Sequence, residues 1–298
     1  MQCLVLGGGG WVSDNFAFSL ARALSAPFST VYTKVFPDGE SYVRLPREVG
    51  SFESVCLVKS LDHPQDKSVV ELVLELDALR ERGVHDVTLI IPYMAYARQD
   101  REFLDGEAVS IRALLRILRG AGARRLYVVE IHKAEPLKYF DGEAVNVSPY
   151  EYMARFLEVD ADTVIIAPDL GAYGRAERLA KALGVEFDYL VKTRDRVTGE
   201  VSYKPKEVNV EGRNVIIVDD IISTGGTIAK SASMLRAAGA RRVDVVAAHA
   251  LLVGDAWSKI VAAGVRRVYA ANTVRPQSGS PIIIDAAPAV AEAVRGNR

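Results

Sequence analysis

An apolar β-branched run that opens into two acids, a small-residue loop and a helical pattern, VIIVDDIISTGGTIAKS at residues 215–231, narrows the fold more than any other stretch of this chain. A continuous apolar run of that length reads as a strand covered on both faces, which is the habit of parallel sheets. The strand ends near Asp219 and Asp220, and Ser223, Thr224, Gly225, Gly226 and Thr227 then turn the backbone into a helix. Successive N–H groups in such a turn face an anion at the helix N-terminus. The two carboxylates beside it are placed to accept hydrogen bonds from sugar hydroxyls. A plainer reading makes the glycine pair a tight turn and the acids a solvated strand end. Acids for a diol beside a loop for a phosphate describe a site for a phosphorylated sugar.

The same alternation runs along the chain. Apolar strands at Val87–Ile91, Leu126–Ile131, Val164–Ala167, Val215–Val218 and Val243–Ala248 are interleaved with helix-period segments at Lys67–Glu81, Val109–Gly120, Gly174–Leu183 and Thr227–Ala238. Strand and helix in alternation imply parallel sheets with crossover helices on both faces. LRGAGARR at residues 118–125 recurs as LRAAGARR at 235–242, each followed by an apolar strand, and VTLIIPYMAYARQD and NVIIVDDIISTGGT precede the two copies. The period is far above the ~20–50 residues of solenoid arrays, so it marks a duplicated domain. A chain of 298 residues is long enough for two domains. The boundary is placed in DGEAVNVSP at residues 141–149, giving domains at 1–145 and 146–298.

Charge and cysteine usage exclude several classes. A formal net charge of -1 supplies no global field for nucleic acid, so any anion site is local. Cys3 and Cys56 stand outside any CxxC or Cys/His cluster, so neither a zinc site nor a disulfide framework is expected. With no basic, apolar leader and no run long enough to span a bilayer, a cytoplasmic protein without membrane partners is expected. Gly7 to Gly10 form a glycine run with neither GK[ST] nor a GxGxxG pattern following, and His63, His85 and His249 are given no chemical role.

The 215–231 string resembles the PRPP-binding signature of type I phosphoribosyltransferases and of ribose-phosphate pyrophosphokinases, and further segments favour the second family. Phe36-Pro37-Asp38-Gly39-Glu40 resembles that family's nucleotide signature, although PDGE alone is an ordinary β-turn. Residues 92–101, PYMAYARQDR, closely resemble its PYxxYARQDR stretch, and Glu130-Ile131-His132 stands where it usually carries DLH. Asp169 falls in a PDxG motif, and Lys192-Thr193-Arg194 resembles the KxR catalytic loop, in a charged stretch that also reads as a solvated β-hairpin. Ser223 replaces the acid that often opens the phosphate loop, and Glu130 replaces aspartate.

The resemblance implies an α/β protein of two tandem type I phosphoribosyltransferase-like domains, each a largely parallel sheet flanked by helices. It implies transfer of the β,γ-diphosphoryl group of ATP to the C1 hydroxyl of ribose 5-phosphate, giving PRPP and AMP. Phe36, Asp38, Gly39, Glu40, Arg98, Gln99, Asp100 and His132 would then bind ATP, and Lys192 and Arg194 would be catalytic. Asp219, Asp220, Ser223, Thr224, Gly225, Gly226 and Thr227, with Arg194, would hold ribose 5-phosphate. His132 and Asp169 would serve Mg²⁺, with two ions per active site. The family also implies a homo-oligomer, a dimer or an assembly of dimers. Two alternatives carry other functions: a phosphoribosyltransferase that consumes PRPP, against which the FPDGE, ARQDR and KTR segments count, and a non-catalytic regulatory subunit, against which the retained Lys192, Arg194, His132 and Asp169 count.

Overall fold

A computed structural model describes residues 3–194, 201–206 and 208–296, with side chains masked over 192–194 and 201–204. These form two compact units, one of residues 3–148, 272–275 and 285–296 and the other of residues 149–271 and 276–284.

The first unit runs β1 (Cys3–Gly7), α1 (Trp11–Leu24), β2 (Phe28–Thr30), β3 (Tyr32–Val35), β4 (Ser41–Arg44), β5 (Ser54–Val58), α2 (Gln65–Glu81), β6 (Asp86–Ile91), α3 (Ser110–Gly120), β7 (Ala123–Val129) and β8 (Glu143–Val147). Its six-stranded sheet has the order β2-β1-β5-β6-β7-β8, and every pairing in it is parallel. Burial explains the composition of the strands: β1, β5 and β6 show almost no exposed residue and are correspondingly apolar. β3 and β4 stand apart as an antiparallel hairpin.

The second unit runs α4 (Tyr150–Met153), β9 (Thr163–Ala167), α5 (Tyr173–Leu183), β10 (Glu186–Arg194), β11 (Val201–Pro205), β12 (Asn214–Ile222), α6 (Gly226–Ala237), β13 (Arg242–Ala250), α7 (Ala256–Ala262), β14 (Val265–Ala271) and β15 (Ile282–Ile284). Its sheet is ordered β11-β10-β9-β12-β13-β14-β15, parallel except for the β10–β11 pair. Ile228, Ala232 and Leu235 on α6 pack with Val164, Val215, Ile217 and Val245 of the strands in one buried cluster. Each such aliphatic side chain removed from water contributes about 1.5–3 kcal/mol.

The final helix, α8 (Ala287–Gly296), belongs with the first unit, whereas the sequence boundary assigns residues 285–298 to the second domain. Its buried Ala287, Val290, Ala291 and Val294 form a small-residue face, and Arg295 donates to the Ala23 carbonyl beside the end of α1. Asp285 is anchored by Asn272 Nδ2 at 2.8 Å and by Ser19 on α1.

The two sheets also correct the register of the repeat. Strand order equates β1 and β2 with β9 and β10, and β5, β6 and β7 with β12, β13 and β14. The LRGAGARR copy leads from α3 into β7 while the LRAAGARR copy leads from α6 into β13, so the matching octapeptides occupy different places in the two sheets. What they share is a local helix stop. Arg119 donates to the Ala123 carbonyl at 3.1 Å and Arg236 to the Ala240 carbonyl at 2.5 Å, and Gly122 and Gly239 both take positive φ in the turn between.

Beneath the carboxyl ends of β1 and β5 lies a buried ion cluster. Lys59 Nζ reaches the Gly8 carbonyl at 2.5 Å, Glu71 at 2.9 Å and Glu75 at 2.8 Å, with the side chains at most 4% exposed. Burial, opposed by Lys59, pushes the Glu75 carboxyl up to about 7. Glu71 keeps its ion pair with Lys67, but removing Lys59 leaves Glu75 sealed with no cation beside it, so Lys59→Met is expected to lower the unfolding free energy in urea by about 3–5 kcal/mol. A loss under about 1 kcal/mol would show that the carboxylates find other partners.

Candidate active site

The site begins at β12, whose apolar residues 215–218 are sealed between neighbours β9 and β13. Its last turns emerge at the carboxyl edge, at the point where strand order reverses: the chain goes from β9 outward to β10 and returns to β12 on the other side. Crevices at such reversals are where open α/β sheets take ligands. Asp219 and Asp220 sit there, the first half-buried and the second 4% exposed. Asp219 Oδ1 accepts from the Asp220 N–H at 2.9 Å, and the Asp219 carbonyl accepts from Tyr150 Oη at 2.7 Å. Asp220 is held at both carboxylate oxygens, by the Ile221 N–H at 2.9 Å and by Arg175 at 3.2 Å. Burial, then the neighbouring Asp220 charge, push the Asp219 carboxyl up to about 8.

Ser223, Thr224 and Gly225 follow directly and lead into α6. The Ser223 carbonyl accepts from the Val253 N–H at 3.0 Å, which ties the loop down on its far side. Gly225 is required on two grounds: its φ of 73°, and the Ala256 carbonyl 3.0 Å from where a Cβ would stand. As N-cap it supplies no side-chain hydrogen bond to the helix end, and no acid occupies the first turn of α6. Thr224, Gly226 and Thr227 are exposed. The result is a helix amino end open to an anion, a few residues from a pair of carboxylates.

Asp169 lies at the end of β9, on the other side of the same strand reversal, exposed, with Oδ1 accepting from the Ala172 N–H at 3.2 Å. The structure therefore brings Asp169, Asp219, Asp220 and the 223–227 loop to one edge of one sheet. Lys192 and Arg194 lie on β10, whose backbone pairs antiparallel with β11, Lys192 opposite Tyr203 and Arg194 opposite Val201. Their side chains lie outside the described residues.

The remaining candidates are in the first unit. Arg98, Gln99 and Asp100 follow β6, and His132 follows β7, again at the carboxyl edge. Lys133 Nζ reaches Asp100 at 2.6 Å and so joins the ARQD loop to the EIHK turn. Desolvation raises the Asp100 carboxyl, but the hydrogen bond and charge of Lys133 outweigh it and hold the group below the usual carboxylate range. Gln99 Nε2 donates to Glu107 at 3.2 Å, and Glu107 also accepts the N–H groups of Phe103 and Leu104. Both motifs contain a non-glycine residue at positive φ, Tyr96 at 63° and Glu130 at 39°. Such backbone costs of order 1–3 kcal/mol and persists where the surroundings over-determine it.

Phe36, Asp38, Gly39 and Glu40 form the tip of the β3–β4 hairpin, with Gly39 at φ 100° and the Gly39 N–H donating to the Phe36 carbonyl at 2.9 Å. Phe36 is 38% exposed; its ring meets Tyr42 edge-on at 5.7 Å, and Lys34 lies 4.8 Å over it, both within the same hairpin. Arg175, Tyr150 and Lys133 are the groups missed at the level of sequence. Lys133 adjoins His132, a proximity that was available; Arg175 and Tyr150 carry no motif, and only the packing of α4 and α5 against β12 reveals them.

Residues 9–122 match the model of the N-terminal domain of ribose phosphate pyrophosphokinase, and residues 154–261 match the phosphoribosyl transferase domain. The chain is similar to the ribose-phosphate pyrophosphokinase of Saccharolobus solfataricus, 43% identical and covering 95% of this chain and 98% of that one. It is similar to that of Aeropyrum pernix at 43% identity, covering 95% and 92%. Among solved structures it resembles phosphoribosylpyrophosphate synthetase from Mycobacterium smegmatis, with a TM-score of 0.86, 27% identity and coverage of 100% and 99%. Both halves of the chain are thus accounted for by one kind of enzyme, and the chain belongs to the ribose-phosphate pyrophosphokinase family.

Proposed function

We infer that this chain transfers the β,γ-diphosphoryl group of ATP to the C1 hydroxyl of ribose 5-phosphate. The observation that carries the reading is the β12–α6 turn, where two carboxylates and an uncapped helix end stand a few residues apart. The 5-phosphate is taken by the N–H groups of Ser223 to Thr227, and Thr224 and Thr227 present exposed hydroxyls to it. Asp219, with Asp220 beside it, accepts from the ribose hydroxyls and fixes the direction of the C1 hydroxyl. Its oxygen attacks the β-phosphorus of ATP in line; the new O–P bond forms as the bond from that phosphorus to the α,β-bridging oxygen breaks. The hydroxyl proton passes to water and AMP leaves.

Arg98 and Gln99, with Asp100 locked to Lys133, hold the nucleotide, and Phe36 with Asp38, Gly39 and Glu40 meets the adenine. Lys192 and Arg194 stabilise the charge that develops on the transferring group and on departing AMP, and Arg194 also reaches the sugar phosphate. The donor types suit Mg²⁺: His132 is a half-exposed imidazole and Asp169 an exposed carboxylate, and this metal takes few protein ligands and completes its shell with water and substrate phosphates. Mg²⁺, two per active site, supplies neutralisation of the polyphosphate charge. The working form is a homo-oligomer, a dimer or assembly of dimers, in the cytoplasm; among the described residues no helix is long and apolar enough to cross a membrane.

Incubation with ATP, Mg²⁺ and ribose 5-phosphate, followed by phosphorus NMR, is expected to give AMP and a sugar-linked diphosphate in equal amounts. Lys192→Ala is expected to cut turnover by at least about a hundredfold while ATP still binds. ADP as the product, or turnover unchanged within a factor of two in the variant, would overturn the assignment.

The raised Asp219 carboxyl sets a pH dependence. The group is protonated below about 8 and ionised above it, and only the ionised form accepts from both sugar hydroxyls. KM for ribose 5-phosphate is therefore expected to fall as pH rises from 7 to 9, and to be flat over that window in Asp219→Asn. A wild-type KM that does not move with pH would take the diol away from Asp219.

A further inference from the structure

We propose that Arg175 is a positioning residue for the sugar end of the reaction, joining the Asp169 turn to the acid pair so that Asp219 meets the ribose hydroxyls in one fixed orientation. The proposal rests on the reading of Asp219 and Asp220 as the diol site. Arg175 belongs to the first turn of α5 and is 8% exposed. One guanidinium nitrogen, Nη1, donates to the Gly171 carbonyl at 3.2 Å, in the turn that Asp169 opens; the other, Nη2, lies 3.2 Å from Asp220 Oδ2.

From there the order passes inward. With Oδ2 on Arg175 and Oδ1 on the Ile221 N–H, the Asp220 carboxylate has no rotational freedom left. That fixes the Asp220 peptide, whose N–H donates to Asp219 Oδ1. Three consecutive contacts thus run from Gly171 through Arg175 and Asp220 to the carboxylate assigned to the sugar. The contact with Asp220 is nearly sealed from water, with side chains 9% and 6% exposed, so it is screened little by salt. The two partners stand apart and ask for donors in fixed directions, which the planar guanidinium fork provides and a lysine ammonium, with one nitrogen, does not. The three contacts end at the carboxylate assigned to the sugar, so the effect is expected on ribose 5-phosphate first.

Arg175→Lys and Arg175→Met test this, with steady-state kinetics for each substrate, calorimetric titration of ribose 5-phosphate alone, and thermal unfolding of each variant. Misplacement of a substrate-binding group by about 1 Å costs up to about a hundredfold. Arg175→Met is expected to raise KM and Kd for ribose 5-phosphate by about ten- to a hundredfold, with KM for ATP within about twofold of wild type. Arg175→Lys keeps the charge next to Asp220, folds like wild type, and recovers only part of the sugar affinity. If Arg175→Met does not fold, the lysine variant decides: normal sugar affinity in a normally folded Arg175→Lys overturns the proposal. Equal loss of both substrates, or of Tm without loss of sugar affinity, overturns it too and leaves Arg175 a packing residue. A wild type that yields no AMP and PRPP, yet binds ribose 5-phosphate with the predicted dependence on Arg175, discards the reaction and keeps the residue; a wild type that binds no ribose 5-phosphate discards the site on which the proposal stands.

Discussion

Parallel pairing is the constraint from which the rest follows. A parallel strand cannot be joined to its neighbour by a tight turn, so each of these two sheets is stitched by helices, and all the strand-to-helix loops of a sheet gather at its carboxyl edge. Buried on both faces, the strands leave no room for chemistry along their length. The acids of β12, the Asp169 turn, the ARQD loop and His132 all occur just where a strand ends. The reversal of strand order between β9 and β12 then opens a crevice beside the first two of these.

Electrostatics decides how that edge is used. Asp219 and Asp220 are adjacent carboxylates, the first half-buried and the second buried, and among the described residues a sealed guanidinium, that of Arg175, meets Asp220. Burial raises Asp219 first and the adjacent Asp220 charge adds to it, which leaves that group to be satisfied by a ligand's hydroxyls. A few residues on, the helix end has the opposite need, since its N–H groups lack a capping side chain and attract a dianion. The same turn thus presents an acceptor for one end of a sugar phosphate and donors for the other.

What was legible in the sequence was what is encoded locally. The apolar run of β12, the turn at Gly225 and the helix that follows depend on neighbours within a few residues, and they stand where the pattern put them. The FPDGE segment is a turn, as PDGE suggests, and forms the tip of a hairpin. Long-range pairings were not legible. Arg175 meets Asp220, 45 positions further on, because α5 lies against β12, and Lys59 meets Glu75 of α2, 16 positions further on; a lone basic residue gives no sign of its partner. The octapeptide repeat misled over register for a related reason, since Arg119 and Arg236 encode the same helix stop in strands that occupy different places in their sheets. The final helix could not be assigned from order along the chain, because an Ala and Val face names no partner; its packing on α1 and the contacts of Asp285 and Arg295 place it.

That last assignment bears on how the protein is made. The first unit is split in sequence: most of it is synthesised at the start, and the helix that covers α1 comes after the whole of the second unit. During translation the surface of α1 that α8 later meets stays uncovered while the 136 residues from 149 to 284 emerge, at about 5–20 residues per second. The second unit has no such delay and can close as soon as β15 is out. The first unit can therefore be completed only after the second has been made, the reverse of the order in which the two begin.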